Sequence, residues 1–470
     1  MKNYYVKKLF HFSIGPVAGA IISFITIPMT TYFVSPDEYG KANMFLLVQT
    51  LLTAYLYFGF DQAYTREYHE NEDKKNLIQN AMFVPLLIAS LLTVICVIFH
   101  SEIAFLIFYD RTVYLPIIIL CISMFTLVFE RFFLLSIRME ENAKRYSLLT
   151  FLIKVLVLLV TLLLIFAGIR DFKVIIYGSL IGQILGDIII ISCCLRFLNI
   201  KGFNIDKNLI RKLFIFGLPI FIAFSIEAVF NASDRIILNT FANYKELGIY
   251  VAALKIASLL KILQSAFTTF WIPTAYRWHK EKQNAIYFQR VSDLVTIIFS
   301  CVFLTILLGK NLLLYVFPES YKATLDIFPF LCFIPILYTI SETTTLGIVF
   351  SRKTYLNIFV SISAVIVNTC LSILLVPIWG AKGAAISMGI SYFIYYIIRT
   401  LLSRRHWRGV SISRQLVAIG IIFAASMLNT FSDIDAWAIN GIALISIILL
   451  YAKTLKIFIF KKKVKRYDLY

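Results

Sequence analysis

Charge is scarce in this chain. Charged side chains make up 15% of its 470 residues, and only 26 of them are acidic. A soluble protein of this length does not need the 60% hydrophobic content found here, whereas a polytopic membrane protein does. Histidine is rare as well. The five histidines are scattered and form no HExxH, so no metal site is expected. No glycine-rich phosphate loop follows a strand, and no cofactor is expected. The seven cysteines (Cys96, Cys121, Cys193, Cys194, Cys301, Cys332, Cys370) fall within or at the edge of apolar runs. Their spacing suggests neither zinc nor a disulfide framework, which leaves them as small packing residues. In a soluble protein the net charge of +19 would suggest nucleic acid. Here the enrichment of Lys and Arg in cytoplasmic loops accounts for it, and no nucleic-acid partner is expected. Asn231-Ala-Ser233 matches a glycosylation sequon but lies inside an apolar run.

What the chain does have is long hydrophobic runs. A helix needs about 20 apolar residues to cross a bilayer. Fourteen runs meet this need, at 10–33, 42–61, 80–99, 114–136, 147–168, 174–195, 213–241, 246–272, 290–309, 326–350, 355–378, 383–402, 413–430 and 435–455. The alternation of a β-barrel is absent, so the expected fold is an all-α integral membrane protein of about 14 transmembrane helices. The first run follows Lys2, Lys7 and Lys8 but is too long for a signal-peptide core, and it reads as an uncleaved first span. With the N-terminus inside, the inside segments hold Lys201/Lys207/Arg211/Lys212, Arg404/Arg405/Arg408/Arg414 and the tail Lys461–Arg466. The loop with Asp433 and Asp435 holds no cation and reads as outside, so both termini are expected in the cytoplasm. The basic tail reads as a topology and anionic-lipid anchor.

An internal repeat is legible. Gly15-Pro16 has a counterpart in Gly217-Leu-Pro219, Glu38-Tyr-Gly40 in Glu246-Leu-Gly248, and Gly168 in Gly380. Each repeat holds six spans, an even number, which predicts a parallel pseudo-two-fold. The expected organisation is a six-helix lobe over 1–200, a second over 201–408, and two additional helices with a basic cytoplasmic tail over 409–470. Gly178, Gly182 and Gly186 form GxxxGxxxG, a close-packing face. Prolines within or at the ends of spans, among them Pro16, Pro219, Pro273, Pro329 and Pro377, are candidate kinks or hinges.

A charge at the bilayer centre costs about 2.5–3.5 kcal/mol on insertion scales, so intramembrane charges mark function. Lys255 and Lys261 lie deepest, each more than about 10 Å from the ends of its run by helical rise. On a continuous helix they share an arc of about 140° with Ser258, Ser265, Thr268 and Thr269. That face reads as the wall of a water-filled cavity, against the alternative of ion pairs that only hold helices together. Arg235 lies about two turns from one end of its run. Arg131 and Lys154 lie close enough to run ends to snorkel. Asp61 closes its run and reads as interfacial. Glu227, Asn231 and Asp234 follow i, i+4, i+7 spacing. Asp234 either pairs with a cation such as Lys255 or Arg235, or these carboxylates bind a coupling proton or sodium. Asp187, in line with Ser179 and Gln183, and Glu342, within the polar run Ser341–Thr345, either line the cavity or pair with neighbours. The candidate substrate-binding residues are therefore Lys255, Lys261, Arg235, Ser258 and Ser265, and the candidates for ion coupling or pairing are Asp234, Glu227, Asp187 and Glu342. Deep cations point to an anionic cargo, and the hydroxyls beside them suit sugars.

Several motifs resemble one family. Ser35-Pro-Asp-Glu-Tyr-Gly40, Tyr57-Phe-Gly-Phe-Asp-Gln-Ala63 with Arg66, Phe216-Gly-Leu-Pro219, Ser233-Asp-Arg-Ile-Ile-Leu238, Glu246-Leu-Gly-Ile-Tyr250 with Lys255, and Pro377-Ile-Trp-Gly-Ala-Lys-Gly-Ala-Ala385 occur in family order across nearly the whole chain. The chain resembles Wzx-type polysaccharide and O-antigen repeat-unit flippases of the multidrug/oligosaccharidyl-lipid/polysaccharide exporter superfamily. The resemblance implies two six-helix lobes around a central cavity, often with two further helices. It also implies transport of undecaprenyl-diphosphate-linked sugar repeats from the inner to the outer leaflet of a bacterial cytoplasmic membrane. Such transport serves O-antigen, capsule or similar assembly. Implied partners are the lipid-linked oligosaccharide, membrane lipids and a polysaccharide polymerase or other assembly protein. On this reading Arg235, Lys255 and Lys261 attract pyrophosphate or acidic sugars. The alternative is a drug or organic-cation antiporter of the same superfamily, kept open by Glu227 and Asp234. An enzyme such as a polymerase or ligase wants a large outer catalytic loop, and the longest outer loop expected, 310–325, is short.

Overall fold

A computed structural model describes residues 18–456 apart from 20, 196–203, 314, 316, 352, 354, 433 and 434, and apart from the side chains of Glu227 and Asn231. Gly15-Pro16, Lys201, Asp433 and the tail Lys461–Arg466 lie outside the described residues. Every regular element among the described residues is helical. In chain order these are α1 (Ile21–Phe33), α2 (Pro36–Leu56), α3 (Phe60–Glu67), α4 (Lys74–Ile98), α5 (His100–Phe108), α6 (Leu115–Met139), α7 (Ala143–Phe166) and α8 (Lys173–Cys193). They continue as α9 (Lys207–Phe241), α10 (Tyr244–Ala257), α11 (Leu260–Lys280), α12 (Ala285–Leu308), the single turn α13 (Lys310–Leu313), α14 (Thr324–Leu331), α15 (Phe333–Thr344) and α16 (Leu346–Phe350). The last four are α17 (Tyr355–Trp379), α18 (Ala381–Arg404), α19 (Ser413–Phe431) and α20 (Ala436–Leu450).

Ten helices among the described residues are long and apolar enough to cross a membrane, and eleven if α2 with α3 counts as one bent span. The shorter apolar α1 and α20, and α10 with α11 taken together, account for the rest of the fourteen apolar runs. The chain is thus a multi-pass helical membrane protein. Backbone polar groups have no water to turn to in the bilayer core, so each segment satisfies them internally. Side-chain caps at Ser35, Asp73, Asn142, Asn243, Asn284 and Asp435 take up amides that the first turns leave over.

The chain forms two compact units, Met1–Ile236 and Ile237–Tyr470. In each, the repeated motifs do the same work. In the first unit the Glu38 carboxylate accepts from the Phe172 amide at 2.9 Å, just past Gly168, whose φ is +86°. In the second, the Glu246 carboxylate accepts from the Ala381 amide at 2.8 Å, just past Gly380, whose φ is +54°. Each glutamate sits in the first turn of its helix behind a capping residue, Ser35 or Asn243. The opening turn of α2 is thereby tied to the start of α8, and that of α10 to the start of α18.

The glycine face forms as the sequence predicts. A Cβ at Gly178 would fall 2.3 Å from Thr161 Oγ1, at Gly182 2.5 Å from Val157 Cα, and at Gly186 2.8 Å from Ile153 Cγ1, all on α7. Small residues at these positions let two backbones close up, a main source of helix association in lipid. Gly182→Leu is expected to lower the stability of the detergent-purified protein by about 1–3 kcal/mol through overpacking. Gly420→Leu, where a Cβ meets nothing within 4 Å, is expected to leave the melting curve unchanged.

The two additional helices are integral to the second unit. Buried Gln415 on α19 donates to Ser292 Oγ at 2.5 Å and accepts from Tyr396 OH at 2.9 Å, while Ser292 pairs with Thr343 at 2.7 Å. That chain joins α12, α15, α18 and α19. Asp293 accepts from Thr454 at 3.1 Å, and Asn429 on α19 donates to Asn440 on α20 at 2.9 Å.

One bend in the chain has no proline at it. Pro85, Pro219, Pro273, Pro329 and Pro377 sit inside helices, yet the bend of 45° lies between α2 and α3. Its residues are Phe58, with φ +46°, and Gly59, with φ +75°.

Candidate functional site

The first unit holds a cavity of about 380 Å3 beside this break, lined by Tyr57, Gly59, Asp61, Arg131, Phe221, Phe224 and Arg235 among others. Its floor is built by the bend. Two left-handed residues turn the chain so that α3 starts inward and carries Asp61 to a position only 4% exposed. A bulky residue such as Phe58 rarely adopts this conformation, which costs about 1–3 kcal/mol. Packing offsets that cost. Phe58 stacks on Phe221 with ring centroids 4.1 Å apart and on Phe214 at 5.7 Å. Gly59 lies so close to α9 that a Cβ would sit 2.2 Å from the Gly217 carbonyl oxygen.

Arg131 of α6 donates to Asp61 Oδ2 from Nη2 at 2.6 Å and from Nε at 3.1 Å. Its guanidinium carbon stands 5.5 Å from the Tyr57 ring centroid, and the Tyr57 hydroxyl donates to the Leu127 carbonyl at 3.3 Å. Gln62 donates to the same Asp61 oxygen at 3.0 Å. Asp61, expected at the interface, is buried within the protein, and Arg131 turns to it, because a buried carboxylate demands a charge-assisted partner. Arg235, half-buried, adds a second guanidinium to the lining. Among the described residues the cavity therefore combines two cations, one acid and aromatic faces.

Asp234 is buried one residue before Arg235. Glu227's side chain is outside the described residues. Asp187 is buried on α8 and accepts from Thr126 Oγ1 at 2.6 Å and Gln183 Nε2 at 2.7 Å. Lys255, Ser258, Lys261 and Ser265 belong to the second unit. Lys255 is half-buried in the last turn of α10, where a cation suits the helix dipole, while Ser258, Lys261 and Ser265 are exposed. The continuous helix assumed for their shared arc is interrupted. Lys261 N bonds to Ser258 O at 3.0 Å and Ile262 N to Leu259 O at 3.2 Å, three-residue spacings that break the register between Lys255 and Lys261. Ser258 Oγ donates to the Lys255 carbonyl at 2.6 Å, and Ser265 Oγ to the Ile262 carbonyl at 2.9 Å.

Glu342 has a partner that charge depth along the sequence does not reveal. Arg399 of α18 donates to Glu342 Oε1 at 3.0 Å and to Ser341 Oγ at 2.7 Å, between the rings of Tyr338 and Tyr395. Arg399 lies about one turn from the end of its run, so its position alone gave no sign of burial. The spacing Tyr395–Arg399 (i, i+4) was the available signal.

No curated protein matches the chain closely enough to count as a relative. Among solved structures the chain is similar to lipid II flippase MurJ in an inward closed conformation, with TM-score 0.71 and 16% identity over 96% of this chain and 99% of that one. It is similar to an inward-facing multidrug resistance MATE family transporter of the MOP superfamily, with TM-score 0.65 and 14% identity over 87% of this chain and 99% of that one. A third match is a MOP superfamily transporter from Pyrococcus furiosus Vc1 described by the reverse polarity of its binding pocket. Its TM-score is 0.53 and its identity 13%, over 88% of this chain and 96% of that one. These likenesses establish the fold. The profile of the polysaccharide biosynthesis protein family matches residues 5–279, which include the bend, Asp61, Arg131, Asp187 and Arg235. The chain belongs to the polysaccharide biosynthesis protein family, as a multi-pass helical membrane protein with the fold shared by MurJ and MATE transporters.

Proposed function

We propose that the protein moves undecaprenyl-diphosphate-linked oligosaccharide repeat units from the inner to the outer leaflet of a bacterial cytoplasmic membrane by alternating access, for O-antigen, capsule or similar assembly. The observation that carries this reading is the lining of the first unit's cavity. Arg131 and Arg235 offer donors suited to phosphate oxygens, and Tyr57, Phe221 and Phe224 offer flat apolar faces beside them. Among the described residues, the lining sets these two guanidiniums against the one carboxylate of Asp61, a balance of charge that is cationic. A cavity for drugs or organic cations wants the opposite sign, so the antiporter reading is the weaker one. Within the proposal, both termini are cytoplasmic, the lobes divide near residues 200 and 408, and a polysaccharide polymerase is the natural downstream partner.

The test is deletion of the gene followed by analysis of lipid-linked intermediates and surface polysaccharide. Accumulation of the intermediate with loss of polymer is expected, and an unchanged profile of both overturns the proposal. In proteoliposomes, Arg235→Ala is expected to cut translocation by about 10–100-fold, the loss of one charge-assisted hydrogen bond to a phosphate. Alanine at Lys255 and at Lys261, at normal expression, measures separately whether the two lysines, with Ser258 and Ser265 around them, touch cargo. Normal transport by both variants would make them structural.

A further inference from the structure

Among the described residues, the buried acids Asp61, Glu67, Asp293 and Glu342 have a cation within ion-pair distance. Asp61 has Arg131, Glu67 has Lys212, Asp293 has Arg414 and Glu342 has Arg399. Asp187 differs. It is completely buried, and among the described residues no basic side chain lies within ion-pair distance of it. Its two oxygens meet a hydroxyl, Thr126 Oγ1 at 2.6 Å, and an amide, Gln183 Nε2 at 2.7 Å. A buried carboxylate lacking a countercharge is costly, and a bound proton removes the cost.

The count of available protons points the same way. Thr126 has one hydroxyl proton and two oxygens in reach, Asp187 Oδ2 at 2.6 Å and the Ser123 carbonyl at 3.1 Å. A carbonyl can only accept. When Thr126 gives its proton to Ser123, the short contact to Asp187 is satisfied only by a proton on the aspartate. We infer that Asp187, cradled by Thr126 and Gln183, is a proton-binding site of the transporter, linked by charge to the cationic cavity.

The link runs through α6. Thr126 holds Asp187, the next residue, Leu127, accepts from the cavity's Tyr57 hydroxyl, and Arg131 follows about one turn later. The helices packed on α8 are α2, α6 and α7. Glu130 of α6 and the Tyr57 phenol face Asp187 electrostatically, and Arg131 and Lys154 face Glu130. In the opening turns of α2, Lys41 binds both Asp37 and Glu38. A proton on Asp187 removes a negative charge from the surroundings of Arg131. Proton binding therefore strengthens binding of an anion in the cavity, and by reciprocity the anion strengthens binding of the proton.

The test reads the proton directly, in the full-length protein in lipid, by the infrared stretch of a protonated carboxyl near neutral pH. The band is expected in the wild type, lost as pH rises, and absent in Asp187→Asn. Thr126→Val, which keeps the carboxyl but removes its hydroxyl neighbour, is expected to shift the band. If Asp187→Asn does not fold, the wild-type titration and the Thr126→Val shift carry the result alone. A band unaffected by either variant, lost instead in Glu130→Gln, or abolished by sodium at fixed pH overturns the assignment. The link to cargo rests on the proposed function and is read separately, with undecaprenyl diphosphate as probe. Wild-type affinity is expected to fall several-fold with rising pH, while Asp187→Asn binds with a flat profile. No binding at any pH, with the infrared band intact, removes the cargo assignment and leaves the proton site standing.

Discussion

Glu342→Ala is expected to destabilise the second unit by about 3–5 kcal/mol, a large fraction of what holds a typical domain folded. Arg399 is 6% exposed and lies between Tyr338 and Tyr395 with Glu342 and Ser341 at its nitrogens. Removing the carboxylate leaves a permanent cation buried against one hydroxyl, since arginine does not shed its proton in a protein. The pair itself is worth far less than this figure, because both ions paid to leave water. Glu342→Leu with Arg399→Leu is therefore expected to recover most of the loss. Thermal unfolding of the purified wild type, Glu342→Leu, Arg399→Leu and the double variant forms a cycle that checks this. If the double variant is as unstable as the sum of its parts, Glu342 and Arg399 act independently.

Gly59→Val is expected to abolish transport and to cost stability on two counts. Valine at φ +75° carries about 1–2 kcal/mol of left-handed strain. Its Cβ would also collide with the Gly217 carbonyl, 2.2 Å away, which forces α3 off α9 at a further cost of about 1–3 kcal/mol. Gly168→Val separates the two effects. Gly168 has φ +86° but nothing within 4 Å of an added Cβ, so its variant carries the strain alone. Equal melting losses in the two variants would mean that the Gly59–Gly217 approach is slack. Transport by Gly59→Val at the wild-type rate would mean that the bend does not shape the cavity.

Much of the fold was legible because lipid imposes a simple rule of length and composition, and the fourteen runs follow it. The repeat was legible because a glutamate near a helix start and a left-handed glycine are tied to fixed backbone geometry, and both survive in each half. The site was less legible. Asp61 ends an apolar stretch and reads as interfacial, since nothing local tells that two left-handed residues before it turn the chain inward. Its partner Arg131 is far away in sequence, and such pairing follows from packing rather than from pattern. The Ser258–Leu259 interruption was hidden because Ser-Leu-Leu fits a helix as well as it fits a break. Asp187 was visible as a candidate, but its surroundings of hydroxyl and amide set it apart only once Asp61, Glu67, Asp293 and Glu342 had found their cations.

The ties at the two ends of α2 and α3 have a mechanical consequence. Glu38 fastens one end to the start of α8, and buried Glu67 fastens the other to Lys212 of α9. Between them the rod is jointed at Phe58 and Gly59. A jointed rod clamped at both ends cannot slide. The joint itself is held against α9, where Phe58 stacks on Phe214 and Phe221 and Gly59 meets Gly217. Tyr57 and Gly59 at that joint are wall residues of the cavity, so three points of attachment set the position of that wall.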